Sequence, residues 1–325
     1  MIIQFVILAV SFFLLIKGAD LFVNESSYLA KRLKVPSLVI GLTIVAFGTS
    51  APELAVSMTA AIHGSNELAV SNVIGSNIFN LLVVLGICAL IRPIPVEKKV
   101  LKRDIPFSII ITIILLLVSC RGLLGNGHIS LFHMNDQTGT ITRITGVFLL
   151  LLFAAYLLSL IRSSHDSDVI SEDIIPGRPL WKCILLIIIS LAMIIAGGKL
   201  AVSSAKAIAE FAGMSETLIG LTIVAVGTSL PELVTSIVAA TKGEVSLAVG
   251  NAVGSNIFNI LLILGISSAI RSIPLTTESV IDIVMLIAVS ILTLVFSFSS
   301  KKINRTEGAL MGLSYTIYVA FAALR

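Results

Sequence analysis

The sequence predicts an all-α polytopic membrane protein: ten transmembrane helices laid out as two inverted five-helix repeats, with broken helices 2, 3, 7 and 8 at the core. Three observations carry this reading. Of 325 residues, 57% are hydrophobic and only 12% are charged, with a mean hydropathy of +1.08. A soluble protein of that balance could not cover its surface with polar groups. Several apolar runs reach the ~20 residues that a helix needs to cross a bilayer. Finally, one segment occurs twice. Residues 40–86 and 219–265 align without gaps at an offset of 179 and share 30 of 47 identities.

The spans follow in order. The first half gives 3–28, 36–62, 67–91, 104–120 and 142–161; the second gives 180–211, 215–241, 246–270, 279–298 and 306–324. Residues 2–16 resemble the apolar region of a signal peptide. No Lys or Arg precedes them, however, no A-x-A site follows, and Gly18 and Leu21 meet Gly197 and Leu200 at the repeat offset. The segment is therefore read as a retained first span. The polar stretch from Ser163 through Asp166, Asp168, Glu172 and Asp173 to Pro176 is the natural linker. It divides the chain into a first five-helix repeat (1–161), a cytoplasmic linker (162–179) and a second five-helix repeat (180–325).

Two similar halves with odd span counts insert in opposite orientations, the inverted-repeat plan of many secondary transporters. Loop charge gives the direction. The connections 1–2, 3–4, 5–6, 7–8 and 9–10 carry fifteen Lys and Arg; the other side, with Arg325, carries five. The fifteen-rich side is expected to be cytoplasmic, with both termini extracytoplasmic, in a multi-pass protein of the cell membrane.

Composition also excludes. The net charge of +4 comes with no basic cluster interleaved with aromatics, so nucleic acid has no support as a partner. No G-x-x-x-x-G-K-[ST] motif supports ATP use. Cys88, Cys120 and Cys183 lie far apart in or beside apolar runs, without metal-ligand spacing. They read as small core residues. No cofactor is implied, and the partners expected are inorganic cations and the lipid bilayer. Oligomeric state is not readable.

Within the repeat, Gly48-Thr49-Ser50-Ala51-Pro52-Glu53 corresponds to Gly227-Thr228-Ser229-Leu230-Pro231-Glu232. Proline removes a helical hydrogen bond and clashes with the preceding turn, yet it suits the first turn of a restarting helix. Each motif therefore predicts a break within a span. Ser50-x-x-Glu53 and Ser229-x-x-Glu232 also match a capping box, which is the structural alternative. Against it, a break in lipid is costly unless buried in protein or lining a wet cavity, and intramembrane carboxylates point to function. One span later, Gly75-Ser76-Asn77-Ile78-Phe79-Asn80 corresponds to Gly254-Ser255-Asn256-Ile257-Phe258-Asn259. Ser76 and Asn80 share a helix face, as do Ser255 and Asn259. Helix-to-helix glue is the competing reading of these small polar residues. Together the four segments offer two carboxylates, hydroxyls, amide oxygens and freed carbonyls, with no His or Cys. All-oxygen ligation suits hard cations such as Ca²⁺ and Na⁺, and competition between two such loads would give exchange.

These motifs resemble the cation/calcium exchanger superfamily, in its prokaryotic Na⁺/Ca²⁺ exchanger-like branch, whose two alpha-repeats carry G-T-S-x-P-E and G-S-N-I-x-N. The resemblance implies a ten-helix fold, a central ion site on helices 2, 3, 7 and 8, long sliding first and sixth helices, and Ca²⁺ leaving as Na⁺ enters by alternating access. It implies Glu53 and Glu232 as principal ligands. Thr49, Ser50, Thr228, Ser229, Ser76 and Ser255 would add hydroxyl or backbone oxygens, Ala46 and Ala225 carbonyls, and Asn80 and Asn259 the remaining positions. Several well-characterised members carry Asp at the position of Asn80 or of Asn259. Here both are Asn, so the site has two formal negative charges and the Na⁺ stoichiometry stays open.

Two alternatives remain at this stage: H⁺/Ca²⁺ antiport through the same pair of glutamates, and an uncoupled cation channel. An enzyme is not expected, since no mid-span His accompanies Ser50 or Ser76 to activate it as a nucleophile. Asp20 and Lys199, equivalent in the repeat, could tune ion access, but are read as snorkelling or paired interface residues. His63, His128, His133 and His165 fall at span ends or in loops.

Overall fold

The computed structural model describes residues 2–64, 66–120, 137–165, 179–213, 225–299 and 301–324. The described residues contain seven helices long and apolar enough to cross a membrane, or eight when one bent pair is counted as a span. Among the described residues the fold is helical apart from two short β-ribbons.

Helices α1 (Ile2–Leu33) and α7 (Leu180–Phe211) each have 32 residues. At 1.5 Å per residue such a helix exceeds a ~30 Å hydrocarbon core, so it must tilt or project. The pair pack against one another along small residues. A Cβ on Gly18 would lie 2.9 Å from Ile194 and 3.0 Å from the Ser190 carbonyl; one on Gly197 would lie 2.9 Å from the Ser11 carbonyl. Their outer faces expose Phe5, Phe13, Trp181 and Ile188, as a lipid-facing surface should.

The second span is bent by 48° between α2 (Ser37–Thr49) and α3 (Ala51–His63). Pro52 sits in the first turn of α3, and α3 ends at Gly64, whose φ of 87° terminates the helix in the left-handed region. In the second half, α8 (Ala225–Gly227) and α9 (Leu230–Thr241) meet at Ser229 in the same way, with Pro231 in the first turn. The backbone at the two joints is nearly identical: φ −80° and ψ 6° at Ser50, φ −90° and ψ 6° at Ser229.

The expectation of breaks in the third and eighth spans does not hold. Helices α4 (Glu67–Ile91) and α10 (Val245–Ile270) run uninterrupted. No proline intervenes, so every N–H remains available. The local departure is instead a wide π-turn, at Asn80–Val84 and at Asn259–Ile263, a feature frequent at functional sites. Gly254 serves close approach instead of chain breaking: a Cβ there would lie 2.8 Å from the Leu42 Cα. Gly250 and Gly41 meet similarly, so α10 packs backbone to backbone against α2.

Helices α5 (Ile105–Ser119), α6 (Arg143–His165), α11 (Thr277–Ser299) and α12 (Arg305–Leu324) flank this centre. Tyr156 donates to the buried Asp104 at 3.2 Å and Tyr318 to Asp282 at 3.2 Å, so each half ties its fourth helix to its fifth alike. β1 (Ile94–Pro95) pairs antiparallel with β4 (Lys302–Ile303), and β2 (Gln137–Ile141) with β3 (Ile273–Thr276). Each ribbon thus joins a connection of the first half to one of the second. Residues 166–178 of the linker, like His128 and His133, lie outside the described residues.

Candidate ion-binding site

Both glutamates lie in the first turn after a break, and both are fully buried. Neither forms an ion pair with Lys, Arg or His among the described residues. An ionised carboxylate so placed is costly without a counter-charge.

The capping-box alternative fails on geometry. Ser50 and Ser229 make no side-chain cap to their own helices. Their hydroxyls reach across the repeat instead: Ser50 Oγ donates to Glu232 Oε1 at 2.8 Å, and Ser229 Oγ to Glu53 Oε1 at 3.2 Å. Ser229 also lies 3.0 Å from Ser76 Oγ, and Ser255 Oγ is 3.4 Å from Glu232 Oε1. Six of the expected residues therefore form one cluster in which each carboxylate is held by the other half's serine.

Thr49 and Thr228 join that cluster through residues that the sequence reading did not single out. Thr49 Oγ1 donates to Asn251 Oδ1 at 2.9 Å, and Thr228 Oγ1 to Asn72 Oδ1 at 3.3 Å. The amide nitrogens of the two asparagines turn the other way, Asn251 to Ser236 Oγ at 2.9 Å and Asn72 to Ser57 Oγ at 3.2 Å. They also reach the main-chain oxygens of Glu232 and Glu53 at 3.3 and 3.5 Å. Each asparagine thus links a threonine of one half to the glutamate helix of the other. The signal was present in the repeat, where Asn72 and Asn251 are identical at the same offset.

A second unforeseen pair fixes the crossing of α4 and α10. Asn77 Nδ2 donates to the Asn256 carbonyl and Asn256 Nδ2 to the Asn77 carbonyl, both at 3.1 Å. Asn259 Nδ2 donates to Asn77 Oδ1 at 2.9 Å. Ala46, fully buried, already accepts the Ser50 N–H at 3.0 Å and stands 3.4 Å from Thr49 Oγ1. Ala225 begins α8.

After this network is satisfied, several buried polar atoms still lack a protein partner. They include Glu53 Oε2, Glu232 Oε2, Asn259 Oδ1 and both polar atoms of Asn80. Buried polar groups are normally paired, and the two unpaired carboxylate oxygens are hard donors of the kind that a cation such as Ca²⁺ takes. No group of three or more His, Cys, Asp or Glu occurs among the described residues. A cation here would accordingly be held by two carboxylates and neutral oxygens.

The two approaches to the cluster differ. A cavity of about 750 Å³ opens between α3 and α7 and reaches Pro52, Thr228 and Pro231. Its wall includes His63, whose Nδ1 lies 2.9 Å from the Thr59 carbonyl. On the opposite approach α1 packs along α9, whereas α7 makes no comparable contact with α3. Lys242, just past α9, pairs with Asp20 at 2.6 Å and donates to Asn24, while Ser27 donates to Glu244 at 2.6 Å. One mouth is open and the other is latched.

The model of the sodium/calcium exchanger protein family matches residues 3–162 and 182–324, nearly the whole chain. The chain belongs to the sodium/calcium exchanger family. It is 36% identical over 329 residues to CaxA of Alkalimonas amylolytica, with 98% of each chain covered. It is 33% identical over 342 residues to the sodium/calcium exchanger MaX1 of Methanosarcina acetivorans, covering 98% of this chain and 97% of the relative. A solved structure of the archaeal sodium-calcium exchanger NCX_Mj superposes with a TM-score of 0.82 at 33% identity over the full length of both chains. This exchanger-family chain is a multi-pass membrane protein whose relatives are transporters, not enzymes.

Proposed function

We propose that the chain is a secondary active antiporter of the cytoplasmic membrane that exchanges Ca²⁺ for Na⁺ by alternating access. In this reading ten spans form two inverted repeats, and both termini are extracytoplasmic. The observation that carries it is the pair of buried carboxylates, each with one oxygen bonded by the opposite half's serine and the other without a partner. Glu53 and Glu232 neutralise one Ca²⁺ or two Na⁺. Ser50, Ser229, Ser76, Ser255, Thr49, Thr228, Asn80 and Asn259, with the carbonyls of Ala46 and Ala225, supply the neutral oxygens that a 6–8-coordinate Ca²⁺ takes.

The charge of the empty site suggests why exchange is coupled. Two ionised carboxylates resist sealing into a low-dielectric interior, whereas a site neutralised by either load seals readily. The open mouth beside Thr228 and Pro231 then closes, and the latch at Lys242 releases. The wide access on one side and the ion-paired seal on the other support a carrier over a continuous pore.

The test is Ca²⁺ uptake into proteoliposomes under an imposed Na⁺ gradient, then an H⁺ gradient, then none. Uptake is expected only with Na⁺. Uptake driven by H⁺ alone would reassign the coupling ion, and gradient-independent uptake would replace the antiporter with a channel.

A further inference from the structure

Lys199 and Asp20 are equivalent in the repeat at the offset of 179, yet they carry opposite charge. They stand at opposite mouths. Lys199 is exposed and lines the open cavity. It has neither a hydrogen bond nor an ion pair among the described residues, in contrast to Lys206 on the same wall, which pairs with Glu210 at 3.6 Å. No carboxylate lines that cavity among the described residues; its ionisable side chains are His63, Lys199 and Lys206. At the latched mouth the same position is Asp20, engaged by Lys242.

An ammonium at the entrance of a cation site, with no partner among the described residues, demands a reason, because it opposes the ions that must pass. The opposition is not equal ion for ion. A fixed unit charge acts on a divalent ion with twice the energy that it exerts on a monovalent one. We propose that Lys199 is an affinity-setting residue: its charge weakens cation binding at the open mouth, ion for ion more steeply for Ca²⁺ than for Na⁺, and so favours Ca²⁺ release there. Loop charge puts the Lys199 mouth outside the cell, so the polarity suits Ca²⁺ extrusion. The inference rests on the Na⁺/Ca²⁺ exchange reading. It adds to it an electrostatic contribution to cation affinity at one face, set by Lys199.

At ~10 Å in water, removing a fixed unit charge changes divalent occupancy about fourfold and monovalent occupancy about twofold. The experiment measures the apparent affinities for Ca²⁺ and Na⁺ in right-side-out and in everted membrane vesicles, for the unaltered protein, Lys199→Gln and Lys199→Arg. Lys199→Gln is expected to raise apparent Ca²⁺ affinity about fourfold and Na⁺ affinity per ion about twofold, in one vesicle orientation only. The shift should shrink as choline chloride raises the ionic strength and the Debye length falls. Lys199→Arg should restore the original values. Equal shifts for both ions, shifts insensitive to salt, shifts in both orientations, or no shift would each overturn the proposal while leaving the exchange reading intact. Absence of Na⁺-driven Ca²⁺ flux in the unaltered protein would overturn both.

Discussion

At the scale of single residues, the informative group is Asn251. A hydroxyl that presents a lone pair to a cation must send its proton elsewhere, and Thr49 sends it to Asn251 Oδ1 at 2.9 Å. Loss of such an orienting partner typically weakens metal binding 10- to 100-fold. Asn251→Ala is therefore expected to raise the apparent Km for Ca²⁺ at least about tenfold. If Asn251 acts through Thr49, adding Asn251→Ala to Thr49→Val should cost little more than Thr49→Val alone; independent, multiplying effects would show that it does not. Glu53 and Glu232 were legible in the sequence because a carboxylate in an apolar run has few innocent explanations. Asn72 and Asn251 were not, because an amide in a helix fits ligand, glue or packing equally well, and only the distances to Thr228 and Thr49 decide among them.

At the scale of elements, the helix breaks at Ser50 and Ser229 were predictable from Pro52 and Pro231, whereas the expected breaks in α4 and α10 were not found. Glycine without proline permits a break but does not force one, and in α10 Gly250 and Gly254 are used to admit the backbone of α2. The ribbons at Ile94–Pro95 and Ile273–Thr276 are too short to leave a periodic signature. The latch between α1 and the end of α9 yields a prediction from symmetry. Val56 lines the open cavity, whereas its repeat equivalent Thr235 is fully buried. Val56→Cys should be labelled quickly by a water-soluble thiol reagent and Thr235→Cys slowly. Adding Asp20→Asn, which removes the Lys242 pair, should accelerate labelling of Thr235→Cys severalfold. Unchanged protection at that position would mean that the pair does not hold the mouth closed. The native cysteines are buried and give a low background.

At the scale of the whole molecule, the halves are interlocked. Serine hydroxyls cross from each to the other's glutamate, paired asparagines join α4 to α10, and both ribbons take one strand from each half. The repeat was plain in the sequence, but this crossing was not, since identity between copies says nothing about which copy touches which. Two polypeptides ending and beginning between His165 and Leu180 should reconstitute Na⁺-driven Ca²⁺ uptake when co-expressed. Neither should bind Ca²⁺ alone, as read by ⁴⁵Ca²⁺ retention on the purified half. Retention by a single half would refute the crossed site.

That crossing also imposes a schedule on biosynthesis. Glu53 is made early, but its hydrogen-bond donor, Ser229, lies 176 residues later. At translation rates of roughly 5–20 residues per second, the first carboxylate waits roughly 10–35 seconds for its partner. Throughout that interval the nascent chain carries one carboxylate of the proposed ion site without its partner from the second half. A ribosome that stalls in the second half would leave an inert fragment in the bilayer, not a leak.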